Sequence, residues 1–316
     1  MRIQSLELRG AIAALPTPMW RGAIDVIALE ALCHRLIERG VSGLVPCGTT
    51  GEAPLLSAEE HQRVVATAVL ASGGRVPVVA GAGGCNTAVA VELAKMARDV
   101  GASGLLCVTP YYLRPTQAGI IAHISAIHDA VALPIVLYDV PSRTACALAD
   151  ETVERLAELP RVVALKDATA DISRVGRLRA RVGGKLALLS GDDATQASFR
   201  TAGGDGCISV TANVAPALCA TLHRACDERD TDEVTRLARI LAPLHAALFV
   251  ESNPIPLKRA LNCLSLAADD LRLPLTPLSP AGDATLRAAM ALVMSEEEDE
   301  AGRRDLLRRA SLHRAA

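Results

Sequence analysis

Short apolar runs rich in β-branched residues alternate along this chain with longer amphipathic segments, and the alternation is regular enough to set the fold class. The runs predict strands at Ala11 to Leu15, Gly43 to Cys47, Val76 to Ala80, Gly104 to Val108, Ile135 to Tyr138, Val162 to Lys166, Leu186 to Leu189 and Cys207 to Val210. Between them, apolar residues recur three and four apart and predict helices such as Leu29 to Arg39, Ala58 to Ala71, Thr87 to Val100 and Gln117 to Ala130. Each repeat takes roughly 30 residues, the size of one βα unit, and right-handed crossovers then make the sheet parallel.

An open doubly wound sheet also satisfies the alternation, but eight units within about 210 residues fit a closed (β/α)8 TIM barrel better. The unusual residues decide the matter. Gly48-Thr49-Thr50-Gly51-Glu52, Tyr111-Tyr112, Tyr138, Lys166, Ser190-Gly191-Asp192-Asp193 and Ser209-Val210-Thr211 all fall at or just after the C-terminal end of a predicted strand. A barrel gathers those ends around one pocket, whereas an open sheet spreads them along a line. After Val210 only helices are predicted, over Pro216 to Cys226, Asp232 to Phe249, Ile255 to Leu266 and Ala281 to Met294. The chain therefore divides into a barrel core at 1–212, a last barrel helix and C-terminal helical extension at 213–294, and a charged tail at 295–316. The tail carries five consecutive acids, Glu296 to Glu300, ahead of an Arg-rich stretch. It is expected to be solvated, mobile or partly helical.

Composition narrows the function. In 316 residues, 50% hydrophobic content and 22% charge give a large core, while a net charge of −2 and 2% aromatic residues argue against nucleic acid as a partner. No apolar stretch approaches a membrane span, and the first residues do not form a secretory signal, so a cytoplasmic protein is expected. Nine cysteines, mostly inside apolar segments, read as buried thiols in a reducing compartment. There is no Cys-x-x-Cys pair, and no two histidines lie three or four apart. No metal is expected.

Lys166 is the leading candidate for chemistry. It ends an apolar strand and is one of four lysines in an arginine-rich chain. A desolvated lysine amine can attack a carbonyl, which an always-protonated guanidinium cannot. Its ordinary alternative is to snorkel or to pair with Asp167. Tyr138 ends the preceding strand, close enough to act on the same substrate atom, although a tyrosine on a strand more often serves packing. The two glycines and two threonines of Gly48 to Gly51 suit an anion cradle of N–H groups and hydroxyls, and also a plain turn before a capping box at Ser57 and Glu60. Arg143 lies on the loop after Tyr138; most loop arginines are solvated, but one fixed by Pro141 beside a pocket can instead grip a carboxylate. Ser190 to Asp193 reads as a helix cap in which Gly191 leaves room for substrate.

At these residues the chain closely resembles the dihydrodipicolinate synthase family of pyruvate-dependent class I aldolases, in the N-acetylneuraminate lyase superfamily. The resemblance spans about residues 5 to 294 and runs through Gly48 to Glu52, Val108-Thr109-Pro110-Tyr111-Tyr112, Tyr138 to Thr144, Leu165-Lys166-Asp167-Ala168-Thr169, Ser190 to Asp193 and Asn253-Pro254-Ile255-Pro256-Leu257-Lys258. It implies a lyase of the hydro-lyase class in the diaminopimelate and lysine pathway, condensing pyruvate with L-aspartate 4-semialdehyde through an imine on Lys166, without a separate cofactor. By the same resemblance Thr49 and Thr50 hold the pyruvate carboxylate, and Tyr138, Thr50 and Tyr112 form a proton relay. Arg143 binds the semialdehyde carboxylate, while Gly191 and the Ile208 carbonyl line the pocket. A homotetramer, a dimer of dimers with Tyr112 crossing the subunit interface, is implied as well.

Two departures stand out. Asp139 follows Tyr138 where the family often has asparagine, and it perturbs the tyrosine only if it faces the pocket. At the interface pocket where some members bind lysine, Cys85 and Val89 replace an asparagine and a glutamate, although His61 and Tyr111 match and Asn86 lies one residue out of register. Pro54 and Ala58 lower its polarity further, so feedback by lysine is expected to be weak or absent. The alternatives are another pyruvate lyase acting on a sugar acid or aromatic aldehyde, and a noncatalytic pyruvate-binding barrel.

Overall fold

The computed structural model describes residues 6–315. Residues 1–5 of the predicted core and residue 316 of the predicted tail lie outside them. Eight parallel strands form the barrel: β1 Gly10–Ala14, β2 Gly43–Val45, β3 Val79–Gly81, β4 Gly104–Val108, β5 Ile135–Asp139, β6 Val162–Asp167, β7 Ala187–Ser190 and β8 Gly206–Ser209. Neighbours in sequence are neighbours in space, and β8 returns to β1 with Gly10 opposite Gly206. Between β2 and β3 the ring closes through a Leu44–Val78 bridge and the Gly81 N–H, which donates to the Pro46 carbonyl at 3.0 Å. Glycine is required at 81 because a Cβ there would overlap the Cys47 carbonyl.

The helices are α1 Val26–Glu38, α2 Ala58–Ser72, α3 Thr87–Asp99, α4 Gln117–Ala130, α5 Asp150–Leu156, α6 Ser173–Val182, α7 Gln196–Thr201, α8 Pro216–Glu228, α9 Thr231–Ala247, α10 Ile255–Cys263 and α11 Pro280–Ala315. The capping box read from Ser57 and Glu60 is present at α2. Two local features differ from expectation. The third strand starts at Val79 rather than Val76, since Pro77 has no N–H for the ladder and offers only its carbonyl, to Leu44. A hairpin pairing Met19–Trp20 with Ala23–Ile24 was not predicted, because two-residue strands are too short to leave a periodicity.

Strand alternation sorts the side chains into two layers. Ile12, Ala14, Val45, Val79, Leu106, Val136, Ala164, Leu189 and Ile208 fill the barrel interior, and a larger shell packs strands against helices. Tyr138 belongs to the interior set two residues after Val136, and Lys166 follows Ala164 by the same step. Asp139 and Asp167 consequently face outward.

The stretch expected as a charged tail, solvated or partly helical, is helical and continues α11, but not all of it is solvated. Its acids are used: Glu297, fully buried, accepts from the N–H groups of Ala217 (3.1 Å) and Leu218 (2.9 Å) at the start of α8 and from Arg39 at 3.0 Å. Glu300 accepts from the Thr221 hydroxyl at 2.7 Å. Burial pushes the Glu297 carboxyl up, and those N–H donors and Arg39 pull it back. Glu297→Ala orphans both N–H groups and is expected to lower stability by ~1–3 kcal/mol in chemical denaturation. An unchanged midpoint would show that the docked helix contributes nothing there.

Candidate active site

Lys166 and Tyr138 are directly opposed in the β5–β6 ladder, and the lysine Nζ sits 4.3 Å from the centroid of the tyrosine ring. Both are buried, at 7% and 6% exposure. The fate of the four lysines separates them. Lys95 pairs with Glu92, Lys185 with Glu158 and Lys258 with Glu52, whereas Lys166 has no carboxylate partner among the described residues. Asp167, the neighbour it might have paired with, is on the opposite face and accepts from Arg174 and from the N–H and hydroxyl of Thr169. Gly191 leaves the amine its space: a Cβ there would lie 3.1 Å from the lysine Cε and 2.8 Å from the Ala168 Cβ.

Behind this pair, Arg174 of α6 is a buried hub. It donates to Asp139 (2.7 Å), Asp167 (3.2 Å), Asp150 (2.9 Å) and the Leu148 carbonyl (2.6 Å). The departure at Asp139 is thereby explained, since its carboxylate faces Arg174 and not the pocket. Burial raises the Asp139 carboxyl above its usual range, although Arg174 and the Leu148 N–H pull against the shift.

The turn at 48–52 matches an anion cradle. The Gly51 and Ala53 N–H groups close it on the Gly48 carbonyl, while those of Thr49 and Thr50 donate to no backbone carbonyl among the described residues. Thr49 is half-buried and Thr50 buried, its hydroxyl accepting from Asn253 Nδ2 at 3.0 Å. No direct hydrogen bond joins Thr50 to Tyr138 among the described residues. Ile208 ends β8 inside the barrel. Tyr112 is 86% exposed and holds a φ of 72°, a left-handed conformation unusual for an aromatic residue. Arg143 is exposed on a one-turn helix, Pro141–Thr144. That turn is tied to the Tyr111–Tyr112 loop through Cys146, whose thiol contacts the Pro110 carbonyl at 3.1 Å.

Asp192 and Asp193 do not cap α7 as expected. Asp193 instead accepts from the Ser209 hydroxyl and from the N–H groups of Val210 (2.8 Å) and Thr211 (3.1 Å), joining the ends of β7 and β8. Sequence reasoning also assigned no task to Glu52, Asn253, Lys258 or Arg174. Three of these lie inside quoted motifs, which was the available signal; their partners are remote in sequence. Among the described residues no group of three His, Cys, Asp or Glu is arranged for a metal, and no helix is long and apolar enough to cross a membrane. An amine without a carboxylate partner, a phenol beside it and free N–H groups nearby suit imine formation with a keto acid.

Comparison with known proteins agrees with this chemistry. The pattern of the dihydrodipicolinate synthetase family matches residues 7–292. The chain is 50% identical over 282 residues to the 4-hydroxy-tetrahydrodipicolinate synthase of Parvibaculum lavamentivorans, covering 89% of this chain and 97% of that protein. It is 49% identical to the enzyme of that name from Rhodospirillum centenum, with the same coverage. Its fold is similar to the chloride-inhibited dihydrodipicolinate synthase of Acinetobacter baumannii complexed with pyruvate, with a TM-score of 0.89, 43% identity and coverage of 91% and 99%. The dihydrodipicolinate synthase of Aquifex aeolicus gives a TM-score of 0.88 at 38% identity, covering 90% and 97%.

Proposed function

The chain belongs to the dihydrodipicolinate synthetase family, and from that membership we propose that it is a 4-hydroxy-tetrahydrodipicolinate synthase, a lyase joining pyruvate to L-aspartate 4-semialdehyde in lysine and diaminopimelate biosynthesis. The observation that carries the reading is the Lys166–Tyr138 pair, in register inside the barrel mouth, with Lys166 the one lysine lacking a carboxylate partner among the described residues.

The Lys166 amine adds to the ketone of pyruvate and water leaves, giving an imine; loss of a C3 proton turns it into an enamine. The enamine carbon attacks the aldehyde, and the semialdehyde amino group then closes the ring and releases the lysine. The imine is formed with the substrate itself, so the chemistry calls for no metal or organic cofactor. Thr49 and Thr50 receive the pyruvate carboxylate on the N–H groups they leave free. Tyr138, Thr50 and Tyr112 pass the protons, Arg143 takes the second carboxylate, and Gly191 and the Ile208 carbonyl line the pocket.

The family resemblance carries the oligomeric reading, and the 86% exposure of Tyr112 leaves its side chain free to reach a neighbouring subunit. We assign the chain to a cytoplasmic homotetramer, a dimer of dimers in which Tyr112 completes the neighbouring subunit's relay. The barrel and the extension at 213–294 act as one unit, because Asn253 and Lys258 hold the 48–52 turn.

The function is tested by initial rates with pyruvate across aldehydes. Turnover with aspartate semialdehyde far above that with sugar or aromatic aldehydes is expected; the reverse ranking assigns another pyruvate lyase, and no turnover with any of them a noncatalytic barrel. Lysine is expected to inhibit weakly or not at all. Asn86 spends its side-chain oxygen capping α3 at Ala88 (2.9 Å) and Val89 (3.3 Å), and Val89 offers an ammonium only apolar surface. Half-inhibition below a millimolar contradicts this.

A further inference from the structure

The turn that presents Thr49 and Thr50 is held from outside the barrel. Glu52 closes it at a φ of 54° and its buried carboxylate pairs with Lys258 of α10, itself 1% exposed. Lys258 also donates to the Asp270 carbonyl at 2.7 Å, and Glu52 accepts from the Arg272 N–H at 3.3 Å. On the other side, the Thr17 hydroxyl donates to the Gly51 carbonyl at 2.7 Å. Within this frame the contact that reaches the chemistry is the hydrogen bond from Asn253 Nδ2 to the Thr50 hydroxyl oxygen, both residues being buried.

A threonine hydroxyl has one proton to give and lone pairs to receive. The amide nitrogen of Asn253 is a donor only, so it occupies a lone pair of Thr50 and leaves the hydroxyl proton to point elsewhere. A relay needs such a fixed direction: each hydroxyl must accept from one neighbour while donating to the next. Were the amide oxygen turned toward Thr50 instead, it would draw that proton out of the barrel mouth. The Asn253 Oδ1 is buried without a hydrogen-bond partner, so the bond from Nδ2 to Thr50 is the side-chain amide's one tie among the described residues.

We propose that Asn253 is a positioning residue which sets the direction of the Thr50 hydroxyl, so that the C-terminal extension and not the barrel fixes the polarity of the proton relay. The inference rests on the relay assigned above. It predicts an order of effects opposite to that of packing. Asn253→Asp nearly preserves shape but replaces the donor with an acceptor that captures the Thr50 proton. Asn253→Ala leaves a cavity but lets the hydroxyl turn freely.

The test measures kcat, the KM for pyruvate and the rate of imine formation with pyruvate alone, trapped with borohydride, in the wild type, N253D, N253A and both changes combined with T50V. The expected result is a loss in kcat of about 10–100-fold for N253D, a part of the 10^2–10^4-fold that a positioned acid–base group contributes. N253A should lose less, KM should change little, and N253D should add nothing on the T50V background. Circular dichroism of each variant establishes that it is folded; if N253D is not, the test rests on N253A, whose loss should disappear on the T50V background. A greater loss in N253A than in N253D, or equal losses with and without Thr50, overturns the proposal. If the wild type forms no pyruvate adduct the functional reading itself fails; an adduct with unaffected Asn253 variants removes only this inference.

Discussion

Lys166→Arg is expected to abolish condensation, a loss of at least about 10^4-fold in kcat/KM, while leaving the barrel folded. The positive charge and most of the side-chain length are kept, so a role in holding an anion would survive in part. A covalent role would not, because a guanidinium stays protonated and forms no imine. The space that Gly191 leaves beside the lysine Cε, where an added Cβ would come within 3.1 Å, remains open in this variant, so lost activity reflects the chemistry of the head group. Lys166→Met sharpens the same prediction from the stability side. A buried amine without a carboxylate partner is costly to fold around, so this variant should be inactive yet melt at the same temperature as the wild type or higher. Residual activity within tenfold of wild type in either variant would remove Lys166 from the chemistry.

Tyr138→Phe carries the second large effect. The ring stays, and with it the contact 4.3 Å from the lysine Nζ, so the amine keeps its position and pyruvate its site. Only the phenol is lost. The KM for pyruvate should change by no more than a few fold, whereas kcat should fall by about 10^2–10^4, the range of a positioned acid–base group. Imine formation with pyruvate alone should slow with it, since the phenol serves the first proton transfers as well as the later ones. A kcat near wild type with a large rise in KM would instead make Tyr138 a binding residue.

The barrel was legible because its signals are local. Gly104 to Val108 and Gln117 to Ala130 have the predicted bounds to the residue, each being a single uninterrupted periodicity. The placement of Lys166 and Tyr138 on one rim followed from strand order alone. What sequence did not reveal depends on partners far apart in the chain. Asn253 meets Thr50 across 203 positions, and nothing in the pattern of either segment specifies the other. Asp139 was ambiguous for the same reason, as its direction is settled by Arg174 at 35 positions' distance. The run Glu296 to Glu300 misled because charge density reads as solvation, and its use as a cap became visible only once the α8 N-terminus was found beside it. Tyr112 was assigned to a subunit interface by family resemblance alone. Its positive φ and its exposure are separate observations that sequence does not carry.

The central claim is that Lys166, and no other lysine, forms the imine with pyruvate. Reduction with borohydride in the presence of pyruvate, followed by digestion and mass mapping, tests it most directly. The account predicts a single adduct on Lys166, dependent on pyruvate and absent from the arginine variant. An adduct on Lys95, Lys185 or Lys258, or none at all, would contradict it.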